Sequence, residues 1–348
     1  MVSFFCGVQG NCPSEWADDK LKIAKLTPYE FIVACGPYSK SGNPKGDYRV
    51  PSLSVIDWFT EFREARRLKT KLSLNAYLVL PAVLTLGLFI DIVMLLVTRG
   101  VSGGKWSWTF FLVPTLFLII LTKKIDVIFA TGGPNSAHLA SSIVAKLLGK
   151  RLICELQDPI VSHSFKTNTI KAWLATFLEG FIIFSACKTV FVTEKASWRA
   201  RARHPDHFKK VQCIYPYSWN FNSEVGTNLI KTSFTKVRLL HLGTLYGDRN
   251  LNTLLDVIDK LNSKSEIQIE IDNIGDVYLE NKNHYLNMKF CNLIRPMGRQ
   301  DALQASNSYD ILVLAQHASD ISLDTIPYKL NDYINLGKPI LALRRNLE

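Results

Sequence analysis

The sequence predicts an α/β protein of two domains, each built on a parallel sheet, with a hydrophobic helical hairpin inserted in the first. Three observations predict it. Residues 237–343 alternate short apolar runs with helical stretches, the pattern of strands joined by crossover helices. Two of the junctions in that region carry a glycine turn and a cation: Gly243-Thr-Leu-Tyr-Gly-Asp-Arg249 and the Lys329 segment before Gly337. Such βα junctions are where open α/β sheets bind phosphates. Finally, residues 77–122 hold two long apolar runs separated by a polar break.

In chain order, Val2–Cys6 reads as a first strand. Gly7-Val-Gln-Gly10 follows as a turn, and Ser14–Leu26 as a helix capped by Ser14. Phe31–Cys35 is the second strand and Gly36–Asp57 a loop. Trp58–Lys71 is a basic helix. Asp126–Ala130 is a buried strand running into the turn Thr131-Gly132-Gly-Pro-Asn135 and a helix over Ser136–Leu148. Strand Arg151–Leu156 ends at Gln157-Asp158-Pro159. A helix over Thr167–Ala186, a strand over Thr189–Val192 and a basic, aromatic stretch Glu194–Lys210 follow. That stretch reads as a solvated helix face or a contact with membrane headgroups. Gln212–Tyr217 is one more strand, and Asn220–Lys236 a polar linker. The expected domains are therefore 1–222 and 235–348.

The second domain continues with strand Leu239–Leu242, helix Asn250–Leu261, strand Ile267–Ile271, helix Arg299–Ser306 and strand Asp310–Leu314. Helix Ile326–Leu336 and strand Ile340–Leu343 complete it. Pro327 suits the first helical turn, Gly337 the left-handed stop, and Pro339 blocks continuation. Lys329 and Asp332 share one face near that helix start.

The Gly243 and Lys329 stretches together resemble the donor half of GT-B glycosyltransferases, most closely glycosyltransferase family 4. Gly243 and Arg249 match the family's Gly-turn-Arg/Lys loop. Asp324 and Asp332 stand eight apart where the family has two glutamates, and Gly337-Lys-Pro matches the segment beyond them. Both acids are shorter than the family's by one methylene. The resemblance covers roughly residues 125–345, and residues before 77 more loosely. It implies two Rossmann-like domains facing a cleft, with further helices after the last strand, so the second domain is expected to be short at its C-terminus.

The same resemblance implies the site. Gly243, Thr244, Arg249, Lys329, Leu330 and Asp332 would bind the donor, with Asp332 on the ribose and Asp324 on the sugar hydroxyls. Asp158, Gly7, Gly10, Thr131, Gly132 and His163 would lie on the acceptor side. Breaking a sugar–phosphate bond leaves negative charge on the diphosphate, and a cation with helix amides aimed there lowers the barrier without a metal. Arg249 and Lys329 are the cations, and the helix starts at Asn250 and Ile326 the amides. No HExxH, no suitable DxD and no Cys/His cluster is present, so no metal or cofactor is expected. Retention of the anomeric configuration follows from the resemblance alone.

Composition narrows the setting. Seven scattered cysteines without a CxxC point to a reducing compartment, and no cleavable signal peptide opens the chain. Residues 1–222 hold 27 Lys/Arg against 15 Asp/Glu; residues 223–348 hold 14 against 15. The net +11 is thus the first domain's, which favours an anionic membrane or nucleic acid as partner. No nucleic-acid module is recognisable, and the apolar runs favour the membrane. Leu78–Val97 is long enough to cross a core of about 30 Å, whereas Phe110–Leu121 is shorter than a straight span needs. A single crossing would put Val2–Cys6 and Asp126–Ala130 on opposite sides, and one sheet cannot hold both. The expectation is a monotopic hairpin on the cytoplasmic face, serving a glycosyltransferase with a lipid-linked or glycan acceptor. The alternative is a non-catalytic GT-B-like membrane subunit.

Overall fold

The computed structural model describes residues 1–7, 12–37, 47–57, 59, 81, 83–162, 165, 169–216, 235–278, 282–316 and 323–343. The chain divides into two compact units: Met1–Tyr215 with Leu323–Thr325, and Pro216–Ser322 with Ile326–Glu348.

The first unit is a seven-stranded, wholly parallel sheet. Its strands are β1 (Val2–Ser3), β2 (Val33–Cys35), β3 (Asp47–Arg49), β4 (Val127–Thr131), β5 (Arg151–Leu156), β6 (Lys188–Phe191) and β7 (Val211–Cys213). They lie in the order β3-β2-β1-β4-β5-β6-β7, so the order reverses between β1 and β4. Its helices are α1 (Cys12–Ala24), α2 (Leu88–Thr98), α3 (Trp108–Thr122), α4 (Ser136–Leu148), α5 (Ile170–Ser185) and α6 (Glu194–Arg203). Both faces of the central strands are covered, which is why they read as apolar runs.

Helix α3 shows how the core is built. Trp108, Leu112, Leu116, Ile119 and Ile120 recur at helical spacing and are buried. Trp108 meets Phe4 edge-on at 4.8 Å, and its indole N–H donates to Val50 O at 3.2 Å. Helix α2 behaves differently: none of its residues is buried. Gly87 and Asp91 face the 51–57 segment; a Cβ on Gly87 would meet Leu53 O at 2.0 Å, and Asp91 accepts from Val55 N at 2.9 Å. Phe89, Leu95, Leu96 and Val97 stay exposed, Phe89 at 65%.

The second unit has a five-stranded parallel sheet of β8 (Lys236–Leu242), β10 (Gln268–Ile274), β12 (Cys291–Ile294), β13 (Ile311–Ala315) and β14 (Ile340–Leu343). A separate parallel pair joins β9 (Leu245–Tyr246) to β11 (Val277–Tyr278). The large sheet runs β12-β10-β8-β13-β14, so its order reverses between β8 and β13. Helices α7 (Asn252–Asn262), α8 (Lys282–Asn287), α9 (Arg299–Ser306) and α10 (Lys329–Asn335) connect the strands.

Several expectations need correction. The 36–57 loop contains β3, whose three residues pair with β2; a short, charged edge strand has no apolar signature to read. Ser14 is not a cap but lies inside α1, which starts at Cys12 with Pro13 in its first turn. Helix α10 begins at Lys329 rather than Ile326, since residues before Pro327 are biased away from helix. Helix α7 begins at Asn252, because β9 and a turn intervene after Gly243. The basic stretch is not one solvated helix. It breaks at Pro205, and four of its cations serve the unit's own groups: Arg199 on Asp324, Arg201 on Val211 O, Arg203 on Glu179 and Lys210 on Phe184 O. The second apolar run is longer than expected. Among the described residues, the helical stretch Lys105–Thr122 alone is long and apolar enough to cross a membrane, by length and composition. The α3 part buries one side in the core. Apart from Phe59, the helix at Trp58–Lys71 lies outside the described residues, as do residues 78–80 and 82 of the first run.

Candidate functional site

In an open parallel sheet, ligands bind beyond the carboxyl ends of the strands where the order reverses. The second unit fulfils this at β8 and β13. Strand β8 ends at Leu242 and the chain turns through Gly243, which has φ +119°. Gly243 N donates to Ile274 O at 2.8 Å, and a Cβ on Gly275 would stand 2.3 Å from Gly243 O. Two main chains touch here, so Gly275, with φ +155°, admits no side chain.

Both expected cations gather at these strand ends. Lys329 Nζ donates to Leu242 O at 2.7 Å and to His241 Nε2 at 2.8 Å. It lies 3.5 Å from where a Gly243 Cβ would sit. Arg249 Nε donates to Ala315 O, the last carbonyl of β13, at 3.1 Å. The Arg249 backbone is fixed by a reciprocal pair with Tyr246 at 3.0 and 3.1 Å around Gly247. Since Val313 pairs with His241, Leu242 and Ala315 end neighbouring strands. Strand spacing is about 4.8 Å, so two positive side chains are anchored side by side on the last carbonyls of the reversal.

The other donor-side residues are placed as follows. Thr244 is half-buried in the turn after Gly243. Leu330 packs partly buried against Leu240, Leu242 and Tyr333. Tyr333 crosses beneath the turn, accepting from Leu242 N at 2.9 Å and donating to Val313 O at 3.2 Å. Asp332 is buried and takes a two-pronged grip from Arg299, at 2.6 and 3.1 Å, and that guanidinium stacks on Tyr328. Asp324 falls in the other compact unit. It belongs to the first unit, where Arg199 Nη1 donates to its Oδ2 at 2.5 Å and Thr193 Oγ1 to its carbonyl at 3.3 Å. The eight-residue spacing of Asp324 and Asp332 therefore crosses a unit boundary. Helix α10, at seven residues, is too short to add much dipole, so the anion-binding capacity rests on the two side chains.

In the first unit the reversal lies between β1 and β4. Gly7, after β1, has its amide taken by both oxygens of Asp18 at 2.9 and 3.1 Å. Burial raises the Asp18 carboxyl above its ordinary pKa, against the pull of the hydrogen bonds from Gly7 and Cys6. Thr131, the last residue of β4, donates its hydroxyl to Glu155, and Lys20 closes on the same carboxylate at 2.7 Å. Gly132 has φ +81°, and a Cβ there would approach Ser3 Oγ at 3.3 Å. Asp158 keeps exposed surface beyond β5, yet crowding around its carboxyl raises its pKa through desolvation. Gly10 and His163 lie outside the described residues. His138, buried on α4, bonds Glu155 O through Nε2 at 2.8 Å, and burial pushes its pKa down to about 4.

The sequence reading missed His241, Asn273, Gly275, Arg299 and the Lys20–Glu155 pair. Only His241 left a trace, as a single polar ring inside Leu-Leu-His-Leu. Among the described residues no group of His, Cys, Asp and Glu is arranged to hold a metal ion.

No protein-family model and no curated protein matches the sequence. Solved structures do. HepE of Anabaena, in complex with UDP, superimposes with TM-score 0.55 at 11% identity, over 98% of this chain and 80% of that one. The UDP-GlcNAc 2-epimerase of Methanocaldococcus jannaschii gives 0.50 at 12% identity, over 100% and 84%. Another UDP-N-acetylglucosamine 2-epimerase gives 0.51 at 11%, over 100% and 79%. These likenesses show the fold, which is GT-B-like: two Rossmann-like units with parallel sheets.

Proposed function

We propose that this chain is a glycosyltransferase that moves a sugar from a nucleotide-sugar to a lipid-linked or cell-surface glycan precursor, without a metal and with retention. One observation carries the reading: Lys329 and Arg249 are anchored on the adjoining carbonyls of Leu242 and Ala315, at the strand reversal. As the bond from the sugar's anomeric carbon to the diphosphate breaks, its electron pair stays on the phosphate oxygen. Two fixed cations beside that oxygen stabilise the charge as it develops. The acceptor hydroxyl forms the new bond to the anomeric carbon and loses its proton. Asp158 is assigned to the acceptor side, where its carboxylate would take that proton. Gly243 and Thr244 would give the diphosphate close backbone, and Asp332 the ribose an acceptor.

The proposed setting is the cytoplasmic face of a membrane, held by the hairpin. The bare apolar face of α2 supports this. So does the pairing of Val2 with Ala130, which puts strands from before and after the hairpin in one sheet. Anionic lipid is the proposed surface partner, with no nucleic acid involved.

A second reading, a non-catalytic subunit, is favoured by a specific observation. Asp324 and Asp332 are both gripped by arginines, which competes with contacts to sugar hydroxyls. Purified protein given a panel of UDP- and GDP-sugars separates the two. Release of free nucleotide diphosphate, or transfer, supports the enzyme; nucleotide binding with no turnover supports the subunit. An epimerised sugar nucleotide as the product would overturn transfer. For the setting, the protein should stay on membranes in high salt and leave with detergent. Full solubility without detergent would return α2 to a protein-contact role.

A further inference from the structure

We propose that His241 is a positioning residue, which together with Asn273 aims the Lys329 ammonium at the ligand side of the Gly243 turn. The proposal rests on the reading of Lys329 as a phosphate-binding cation.

Leu239 and His241 point to one face of β8 and Leu240 and Leu242 to the other. All four are buried, and His241 and Asn273 have no exposed surface. An imidazole in such a place is costly unless both nitrogens are bonded. They are. Asn273 stands beside His241 on the neighbouring strand, in register. Its Nδ2 donates to Gly275 O at 3.1 Å, which turns its Oδ1 toward the ring. The His241 Nδ1 to Asn273 Oδ1 distance is 2.6 Å, so Nδ1 carries the proton. Nε2 is then a lone pair, and Lys329, which can only donate, meets it at 2.8 Å. Burial, and then the charge of Lys329, lower the His241 pKa and keep the ring neutral.

The chain from Gly275 through Asn273 and His241 thus ends on an ammonium. A lysine stem has four rotatable carbons and loses rotamer freedom when held. Here the ring and the Leu242 carbonyl hold it in advance, 3.5 Å from the Cβ position of Gly243. No atom of His241 need touch the ligand. Its effect should fall on the phosphates and leave the nucleoside alone.

Calorimetric titration with UDP, GDP, pyrophosphate, uridine and guanosine tests this. His241→Leu should weaken binding of the preferred nucleotide diphosphate and of pyrophosphate about tenfold or more, the loss of one charge-assisted bond. The matching nucleoside should bind within about twofold of the unmutated protein, on the same scale. His241→Gln keeps an acceptor near the Nε2 position and should recover most of the loss. In a Lys329→Met background, His241→Leu should have no further effect on the diphosphate. Should His241→Leu fail to fold, Asn273→Ala, which unlocks the ring's tautomer, should give the same phosphate-selective loss. Equal losses for nucleoside and diphosphate, or an undiminished effect without Lys329, would overturn the proposal and leave His241 a packing residue. If the unmutated protein binds diphosphates and His241→Leu is unaltered, this inference alone fails. If it binds no diphosphate or pyrophosphate at all, the donor-site reading fails and takes this inference with it.

Discussion

The two units use the same reversal of strand order to opposite electrostatic ends. At β8 and β13 the strand ends carry Lys329 and Arg249, bonded to neutral partners: carbonyls and an uncharged histidine. These bonds fix both side chains at the strand ends. At β1 and β4 the charges are spent inward. Lys20 is matched by Glu155, and Asp18 closes on the Gly7 amide. What a reversal binds is therefore decided by the partners of its charged side chains more than by strand order. On the proposed reading, the first would take the diphosphate and the second the acceptor.

The sharpest way to break this contrast is to remove one cation from each side. Arg249→Ala should reduce turnover of the best nucleotide-sugar about 10²–10³-fold, the usual cost of one charge-stabilising donor. Its melting curve should move little, because no buried carboxylate is orphaned. Lys20→Met should do the reverse. It leaves Glu155 buried without its cation and should cost about 3 kcal/mol of stability in a denaturant titration. Near-normal turnover for Arg249→Ala would return that arginine to a turn-stabilising role.

The buried histidines sharpen the contrast next. His138 has a folded pKa of about 4 against an ordinary 6.5, so between those values the unfolded chain binds the extra proton. Stability should be full above pH 6.5 and fall as pH drops toward 4, by about 3 kcal/mol from this residue. His138→Gln should flatten that slope in acid melts. His241 is shifted the same way and should add to the fall, so the single mutant retains a residual slope.

A smaller effect concerns Asp332. Asp332→Asn should weaken binding of a nucleotide diphosphate several-fold, about 1 kcal/mol, and more than Asp332→Glu does, since Glu keeps a charged acceptor. Calorimetry on both variants checks it. Equal affinities would leave Asp332 as the partner of Arg299 only.

The second unit was the more legible in the sequence. Its apolar runs alternate with helices, and Gly243, Arg249 and Lys329 stand out as turn and cation signals that the sheet brings to one edge. What escaped reading was set by contacts between distant segments. Asp324 stands eight residues before Asp332, but spacing carries no information about its partners, and Arg199 meets it from 125 residues away. Arg299 grips Asp332 across 33 residues. β3 was hidden by its charge and length. The basic run over 195–210 looked like a surface because composition records charge without recording which carbonyl or carboxylate each cation meets.

The pairing of Val2 with Ala130 has a consequence in time. During synthesis β1 must wait for some 130 residues before its inner neighbour exists, on the order of ten seconds at ribosomal speed. The bare face of α2 emerges before β4 is complete. For that interval the nascent chain offers an apolar helix and an unfinished sheet edge together. A bilayer or chaperone that covers the helix at that stage would spare the edge from aggregation.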